Sequence, residues 1–144
     1  MTAYADSSFI AALYLLEPNS VSASAMIRKF APGVLFSEFG RVEVVNAIYQ
    51  RAFRNEIDAS AASLLVQTLD SDIETGVLQL RTIAESVYTR SLMLTKLWTP
   101  QFGTRASDVL HVATALELKA NTFLSFDKRQ TELARAEGLS CQNA

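Results

Sequence analysis

The sequence predicts an α/β fold, a three-layer α/β/α sandwich around a central parallel sheet of four to five strands. Three observations predict it. At Gly33, Gly76, Asn121 and Gly138 a helical pattern stops at a residue that tolerates the left-handed conformation, and a short apolar strand pattern starts directly afterwards. Strands separated by helices run parallel with right-handed crossovers, which places helices on both faces of the sheet. Hydrophobic residues make up 49% of the chain and charged residues 19%, a balance that excludes disorder and suits helices packed on a buried sheet. The length of 144 residues fits one domain with one core, burying about 70% of the unfolded surface. No repeat, low-complexity tract or linker divides 1–144.

Taken in order, Thr2 to Ala5 is an apolar strand, Asp6-Ser7-Ser8 a polar break, and Phe9 to Leu16 an apolar helix. That helix is the longest apolar run and falls well short of the roughly 20 residues a membrane span needs. Glu17 to Ser20 is a turn with cap residues, and Val21 to Phe30 is helical. Val34 to Phe36 forms the second strand, Ser37 caps a long helix from Glu38 to Asn55, and Phe39, Val42, Val45, Tyr49 and Ala52 are its expected buried face. Asp58 or Ser60 caps the next helix, which ends at Thr75. Val77 to Leu80 is the third strand, Ala84 to Leu97 a helix, and Trp98 to Gly103 a loop containing Pro and Gly. A polar start at Thr104 to Ser107 opens a helix to Leu118, Thr122 to Ser125 is a strand, Lys128 to Glu137 the last helix, and Leu139 to Gln142 an edge strand.

Four carboxylates stand out by position. Asp6 and Asp127 each follow a strand, so in a parallel sheet they emerge on the edge where such sheets bind ligands. Asp108 lies in the first turn of its helix, where the dipole favours an anion, and shares a face with His111, Val112 and Ala115. Glu43 borders the apolar stripe of its helix, with Asn46 three residues on as a candidate hydrogen-bond partner. Singly, each has a plain alternative as an N-cap, a dipole partner or a half-exposed side chain. Together, four such positions in four segments are compatible with one pocket. Two carboxylates about 5 Å apart repel by roughly 3 kcal/mol at an effective dielectric of 20. A hard cation with oxygen ligands, Mg²⁺ or Mn²⁺, removes that cost.

The segments Tyr4-Ala5-Asp6-Ser7-Ser8, Ser37-Glu38-Phe39 with Glu43 and Asn46-Ala47-Ile48, Ala106 to Leu116 around Asp108, and Phe123-Leu124-Ser125-Phe126-Asp127 resemble, in order, the successive motifs of PIN-domain ribonucleases, especially VapC-type toxins. The resemblance spans nearly the whole chain; Ser125 stands where many members have Thr, which keeps the hydroxyl. It implies a sheet ordered 3-2-1-4-5, with the strands leading to Asp6 and Asp127 as neighbours. It implies Mg²⁺- or Mn²⁺-dependent endonucleolytic cleavage of RNA, with Asp6, Glu43, Asp108 and Asp127 as metal-binding and catalytic residues. It also implies a small cognate antitoxin as partner; a homodimer and a cytoplasmic location are expected besides. The absence of a basic residue before Arg28 and the single Cys141 agree with that location.

Ser7 and Ser125 are candidates to support the acidic residues, Arg105, Lys128 and Arg129 to meet phosphates, and Trp98 and Phe102 to stack on bases or pack. His111, the sole histidine, sits in an apolar helix, where a core role is expected. The net charge of −2 is weak for a nucleic-acid protein, but with the four acids sequestered the rest of the surface carries a small positive excess. Two other readings remain: a catalytically silent PIN-like module binding RNA or protein, and a phosphotransfer enzyme with Asp6 as nucleophile. No P-loop, dinucleotide fingerprint or Cys/His zinc spacing is present.

Overall fold

The computed structural model describes residues 1–142. Its strands are β1 (Ala3–Ala5), β2 (Val34–Ser37), β3 (Leu78–Arg81), β4 (Thr122–Leu124) and β5 (Ser140–Cys141). Its helices are α1 (Ser7–Tyr14), α2 (Ser20–Phe30), α3 (Glu38–Phe53), α4 (Ala59–Glu74), α5 (Glu85–Phe102), α6 (Ala106–Glu117) and α7 (Lys128–Ala136). The five strands form one sheet in the order β3-β2-β1-β4-β5, every pair parallel. This is the order expected from the sequence, with element ends shifted by one to a few residues. Asn143 and Ala144, part of the expected domain, lie outside the described residues.

Chain direction explains the layers. From β1 to β2 to β3 the chain moves one way across the sheet, and right-handed crossovers put α1 to α4 on one face. From β3 it returns past β1 to β4 and on to β5, so the same handedness puts α5, α6 and α7 on the other face. The strand period of two then divides the core. Ala3, Ala5, Val34, Phe36 and Leu124 pack with α1 to α4, whereas Tyr4, Leu35 and Phe123 pack with α5 to α7. Both faces are covered, as an all-parallel sheet requires.

Two local expectations are corrected. Trp98 to Gly103 is not a loop: α5 continues to Phe102 with Pro100 inside it, and only Gly103, at φ 63°, ends it. Pro100 forgoes one helical hydrogen bond, and the last turn is held by the Trp98–Phe102 ring stack at i, i+4, by the Thr99–Thr104 hydroxyl bond and by Gly103 N–H donating to Thr99 O. The buried face of α3 is centred on Gly40, Val44 and Ile48; of the expected face, Val45 and Ala52 pack partly buried against the core and Phe39 against His111. Val42 is 67% and Tyr49 47% exposed, because the packed side is set by where β2 delivers the helix.

Gly40 is what lets α3 lie against the sheet end. A Cβ there would stand 3.1 Å from the Phe36 ring, 3.2 Å from Ser37 Oγ and 3.3 Å from His111 Cε1. Gly40→Ala adds roughly 1 kcal/mol of helix propensity, but overpacking among three buried neighbours costs about 1–3 kcal/mol. The variant is therefore expected to have a lower urea midpoint than wild type. An equal or higher midpoint would show that the helix shifts freely.

Candidate functional site

The site lies beyond the carboxyl ends of β1 and β4, where the strand order reverses direction, the position at which open α/β sheets bind ligands. Asp6 follows β1 and donates its backbone N–H to Leu124 O of β4, which fixes the two strand exits side by side. Asp127 follows β4 and begins α7. Asp108 sits in the first turn of α6, and Glu43 one turn into α3. The four sequence-predicted residues thus come to one end of the sheet, at two depths. Glu43 and Asp127 line a cleft of about 370 Å³ together with Ser7, Ser8, Asn46, Arg105 and Gln130. Asp6 and Asp108 have zero exposure and lie beneath the surface.

The capping and cluster roles coexist, because a carboxylate has two oxygens. Asp6 Oδ1 accepts from Phe9 N–H and caps α1, while Oδ2 accepts from Ser125 Oγ at 2.7 Å; Ser8 Oγ reaches both. Asp127 Oδ1 accepts from Gln130 N–H and caps α7, while Oδ2 accepts from Arg105 Nη2 at 2.9 Å. Asp108 Oδ2 accepts from Arg105 N–H and Nε, and Oδ1 from Arg105 Nη2 and Gln130 Nε2. One guanidinium nitrogen therefore bridges Asp108 and Asp127. Glu43 meets His111 rather than Asn46: its Oε1 is 2.5 Å from His111 Nε2.

Electrostatics separate the two buried carboxyls. Burial pushes Asp6 above its ordinary range, and His111 with the hydrogen bonds from Ser125, Phe9 and Ser8 does not cancel the rise. Burial also acts on Asp108, but the Arg105 side chain and backbone together with Gln130 outweigh it and hold this carboxyl below its usual value. Arg105 is raised in turn, chiefly by its hydrogen bond to Asp108. A buried carboxylate with both oxygens accepting hydrogen bonds is a poor nucleophile, which argues against phosphotransfer through Asp6.

The donor chemistry suits a hard divalent cation, since carboxylates, hydroxyls and a carboxamide oxygen meet without a thiolate. Asp6 has no cation in hydrogen-bond contact, and Gln130 Oε1 is buried with no hydrogen-bond partner among the described residues. Among the described residues, no three His, Cys, Asp or Glu side chains stand together closely enough to hold an ion. Arg105 supplies the positive charge between Asp108 and Asp127 instead.

Ser125 is placed as expected, on Asp6, but the second hydroxyl there is Ser8 rather than Ser7. Ser8 and Gln130 were legible only as a hydroxyl two residues after Asp6 and an amide three residues after Asp127, positions from which a side chain reaches back to a helix start. Ser37 caps α3 as expected, but nothing in sequence signalled that Ser37 and Tyr4 line the far side of His111. Trp98 stacks on Phe102 and donates Nε1–H to Glu137, and both aromatics pack beside the α5 to α7 core.

The family model for the PIN domain matches residues 3–136. Comparison with curated proteins gives no match. Among solved structures, the chain is similar to Mycobacterium tuberculosis VapC20, described as a sarcin-ricin loop cleaving toxin, with TM-score 0.74 and 14% identity, covering 99% of this chain and 100% of that one. It is similar to FitAcB from Neisseria gonorrhoeae, with TM-score 0.75, 16% identity and coverage of 99% and 97%. It also resembles VapBC2 from Rickettsia felis, bound to a DNA fragment from their promoter, with TM-score 0.68, 13% identity and coverage of 100% and 99%.

The two buried carboxyls should respond oppositely to neutralisation. In EDTA at neutral pH, Asp6→Asn is expected to raise the melting temperature, because the amide escapes the burial penalty of a charge. Asp108→Asn should lower it, the stability lost being about 1 kcal/mol or less because Arg105 is 58% exposed and its ion pair screened. The Asp108 contribution is present above the unfolded value of 3.8 and lost as pH falls through the lower folded value. The Asp6 penalty sets in as pH rises above 3.8 and is complete above its raised folded value, so it is absent in acid. Thermal melts of both variants from neutral to acid pH check the signs.

Proposed function

The chain belongs to the PIN-domain family, and from that premise we propose that it is a Mg²⁺- or Mn²⁺-dependent endoribonuclease acting as the toxin of a toxin-antitoxin pair. The observation that carries the reading is that Asp6, Glu43, Asp108 and Asp127, from four separate segments, share one end of the sheet near the β1/β4 switch point, two along a cleft and two beneath the surface. The similarity to VapC20, FitAcB and VapBC2 over nearly whole chains supports it.

In this reading Asp6, Glu43, Asp108 and Asp127 would hold a Mg²⁺ or Mn²⁺, which would supply Lewis acidity toward the phosphate and lower the pKa of a bound water. The chain's own groups do the rest. Ser8 and Ser125 fix the Asp6 carboxylate with one hydroxyl proton each, that of Ser8 within reach of both oxygens. Arg105, more than half exposed at the cleft, exchanges its Asp108 and Asp127 contacts for a phosphate oxygen when RNA arrives. Lys128 and Arg129 at the start of α7 extend the positive rim beside Asp127.

A small antitoxin fits the apolar side chains left exposed where α1, α2 and α3 end or begin, namely Leu16, Val21 and Phe53. An Arg or Lys from it would pair with the acidic residues as Arg105 does within this chain. Homodimerisation is likewise proposed, supported by exposed Leu92, Met93 and Leu97 on α5. Among the described residues no helix is long and apolar enough to cross a membrane, and a cytoplasmic location is proposed with the toxin role. The saturation of Asp108 by Arg105 and Gln130 is the one observation favouring a catalytically silent module that binds RNA or protein.

Purified protein is expected to cut at least one member of a panel of tRNA, mRNA and ribosomal fragments, a sarcin-ricin loop included, when Mg²⁺ or Mn²⁺ is present. EDTA, Asp6→Asn or Asp108→Asn should each lower the rate by about 100-fold or more. Expression alone should slow growth, and a co-expressed small neighbouring protein should relieve it. Harmless high expression together with no cleavage by either ion would favour the silent module.

A further inference from the structure

His111 has a task in the core beyond filling it. Its ring is 1% exposed, yet both nitrogens are engaged across elements: Nδ1 is 2.8 Å from the Tyr4 hydroxyl of β1, and Nε2 is 2.5 Å from Glu43 Oε1 of α3. Phe39 tilts against the ring at 5.3 Å between centroids, Tyr4 at 6.0 Å, and the Cε1 edge faces the bare Cα of Gly40. The ring therefore has little room to turn. The Tyr4 hydroxyl also lies 3.1 Å from Ser37 Oγ, which accepts from Gly40 N–H at 2.9 Å. Tyr4 carries one proton, and two arrangements satisfy this chain. Either Tyr4 donates to Nδ1 and the ring is neutral with its proton on Nε2, or Tyr4 donates to Ser37 and both ring nitrogens carry protons. In both, Nε2–H points at the acceptor-only carboxylate of Glu43.

We propose that His111 is a positioning residue, which holds one oxygen of Glu43 through Nε2–H, with Tyr4 and Ser37 as its backing, so that the other oxygen faces the cleft in a fixed direction. The proposal rests on the reading of Glu43 as a metal-holding carboxylate. It assigns His111 no contact with RNA or with the ion. Glu43 is the longest-stemmed and, at 30%, the most exposed of the four, on a helix of the opposite layer from α6, so without this tie its carboxylate would have several rotamers to choose from. The groups that orient metal-holding carboxylates commonly change ion affinity by about 10–100-fold when removed.

Two amide substitutions separate positioning from packing, because a Gln amide reaches about as far as Nε2 and an Asn amide about as far as Nδ1. His111→Gln keeps a donor for Glu43, and His111→Asn keeps only the Tyr4 side. Mn²⁺ affinity measured by titration calorimetry is expected to stay within about threefold of wild type in His111→Gln and to fall about 10–100-fold in His111→Asn. Their melting temperatures in EDTA should drop together. Equal affinities in the two variants would overturn the proposal. Since His111 is the sole histidine, its imidazole nitrogens give one set of NMR signals, and this readout needs no metal. A proton-bearing Nε2 whose resonance moves in Glu43→Gln is expected; a bare Nε2 overturns the positioning role whatever the metal does. Wild type with the expected imidazole signals but no Mn²⁺ binding would overturn the metal-nuclease reading, and the proposal with it.

Discussion

The constraint on which the rest depends is that two carboxylates, Asp6 and Asp108, are removed entirely from water at one end of the sheet. An isolated ionised carboxylate in an apolar interior is costly enough that it either neutralises or recruits donors. Each recruits donors from a helix start. Asp6 takes the Phe9 N–H from the first turn of α1 and the hydroxyls of Ser8 and Ser125, and Asp108 takes the N–H that opens α6, the Arg105 guanidinium and the Gln130 amide. The strand ends, the helix caps and the acidic cluster are therefore one structure. Moving any of these helix starts would strand a charge.

The two buried sites are nonetheless unequal. Asp108 has a cation beside it and is held as a carboxylate, whereas Asp6 has only neutral donors in direct contact and is pushed toward its protonated form. The inequality marks Asp6 as the carboxyl without a cation in contact, which supports the proposal of a divalent ion at this end of the sheet. Arg105 is on the rim and more than half exposed, so it can leave Asp108 and Asp127 when another cation takes over its charge there. An anionic site with a movable internal cation can accept either an ion or a phosphate.

The layers on the two faces of the sheet meet over its carboxyl edge through a polar contact as well as through the strands. His111 of α6 reaches Glu43 of α3, with Tyr4 between the layers, and Gly40 leaves the room for it. Apolar packing holds each layer to its own face. The polar link sets the relative position of the two helices that bear Glu43 and Asp108.

By itself the sequence determined the parallel α/β architecture, because helix stops at Gly33, Gly76, Asn121 and Gly138 followed by apolar strands are local signals, and handedness then leaves few topologies. It also placed Asp6, Asp108 and Asp127, since a carboxylate at a helix start is defined by its own neighbours. The strand order followed from the resemblance and matches the sheet. Only the tertiary structure decided which side of α3 is buried: the helix carries two apolar stripes, and periodicity cannot rank them until β2 and α6 supply a surface. It likewise decided the partners of the site. Tyr4 with His111, Glu43 with His111 and Asp6 with Ser125 are separated by 107, 68 and 119 residues. A hydrogen bond across such distances is fixed by the geometry of the assembled layers, and no spacing along the chain announces it.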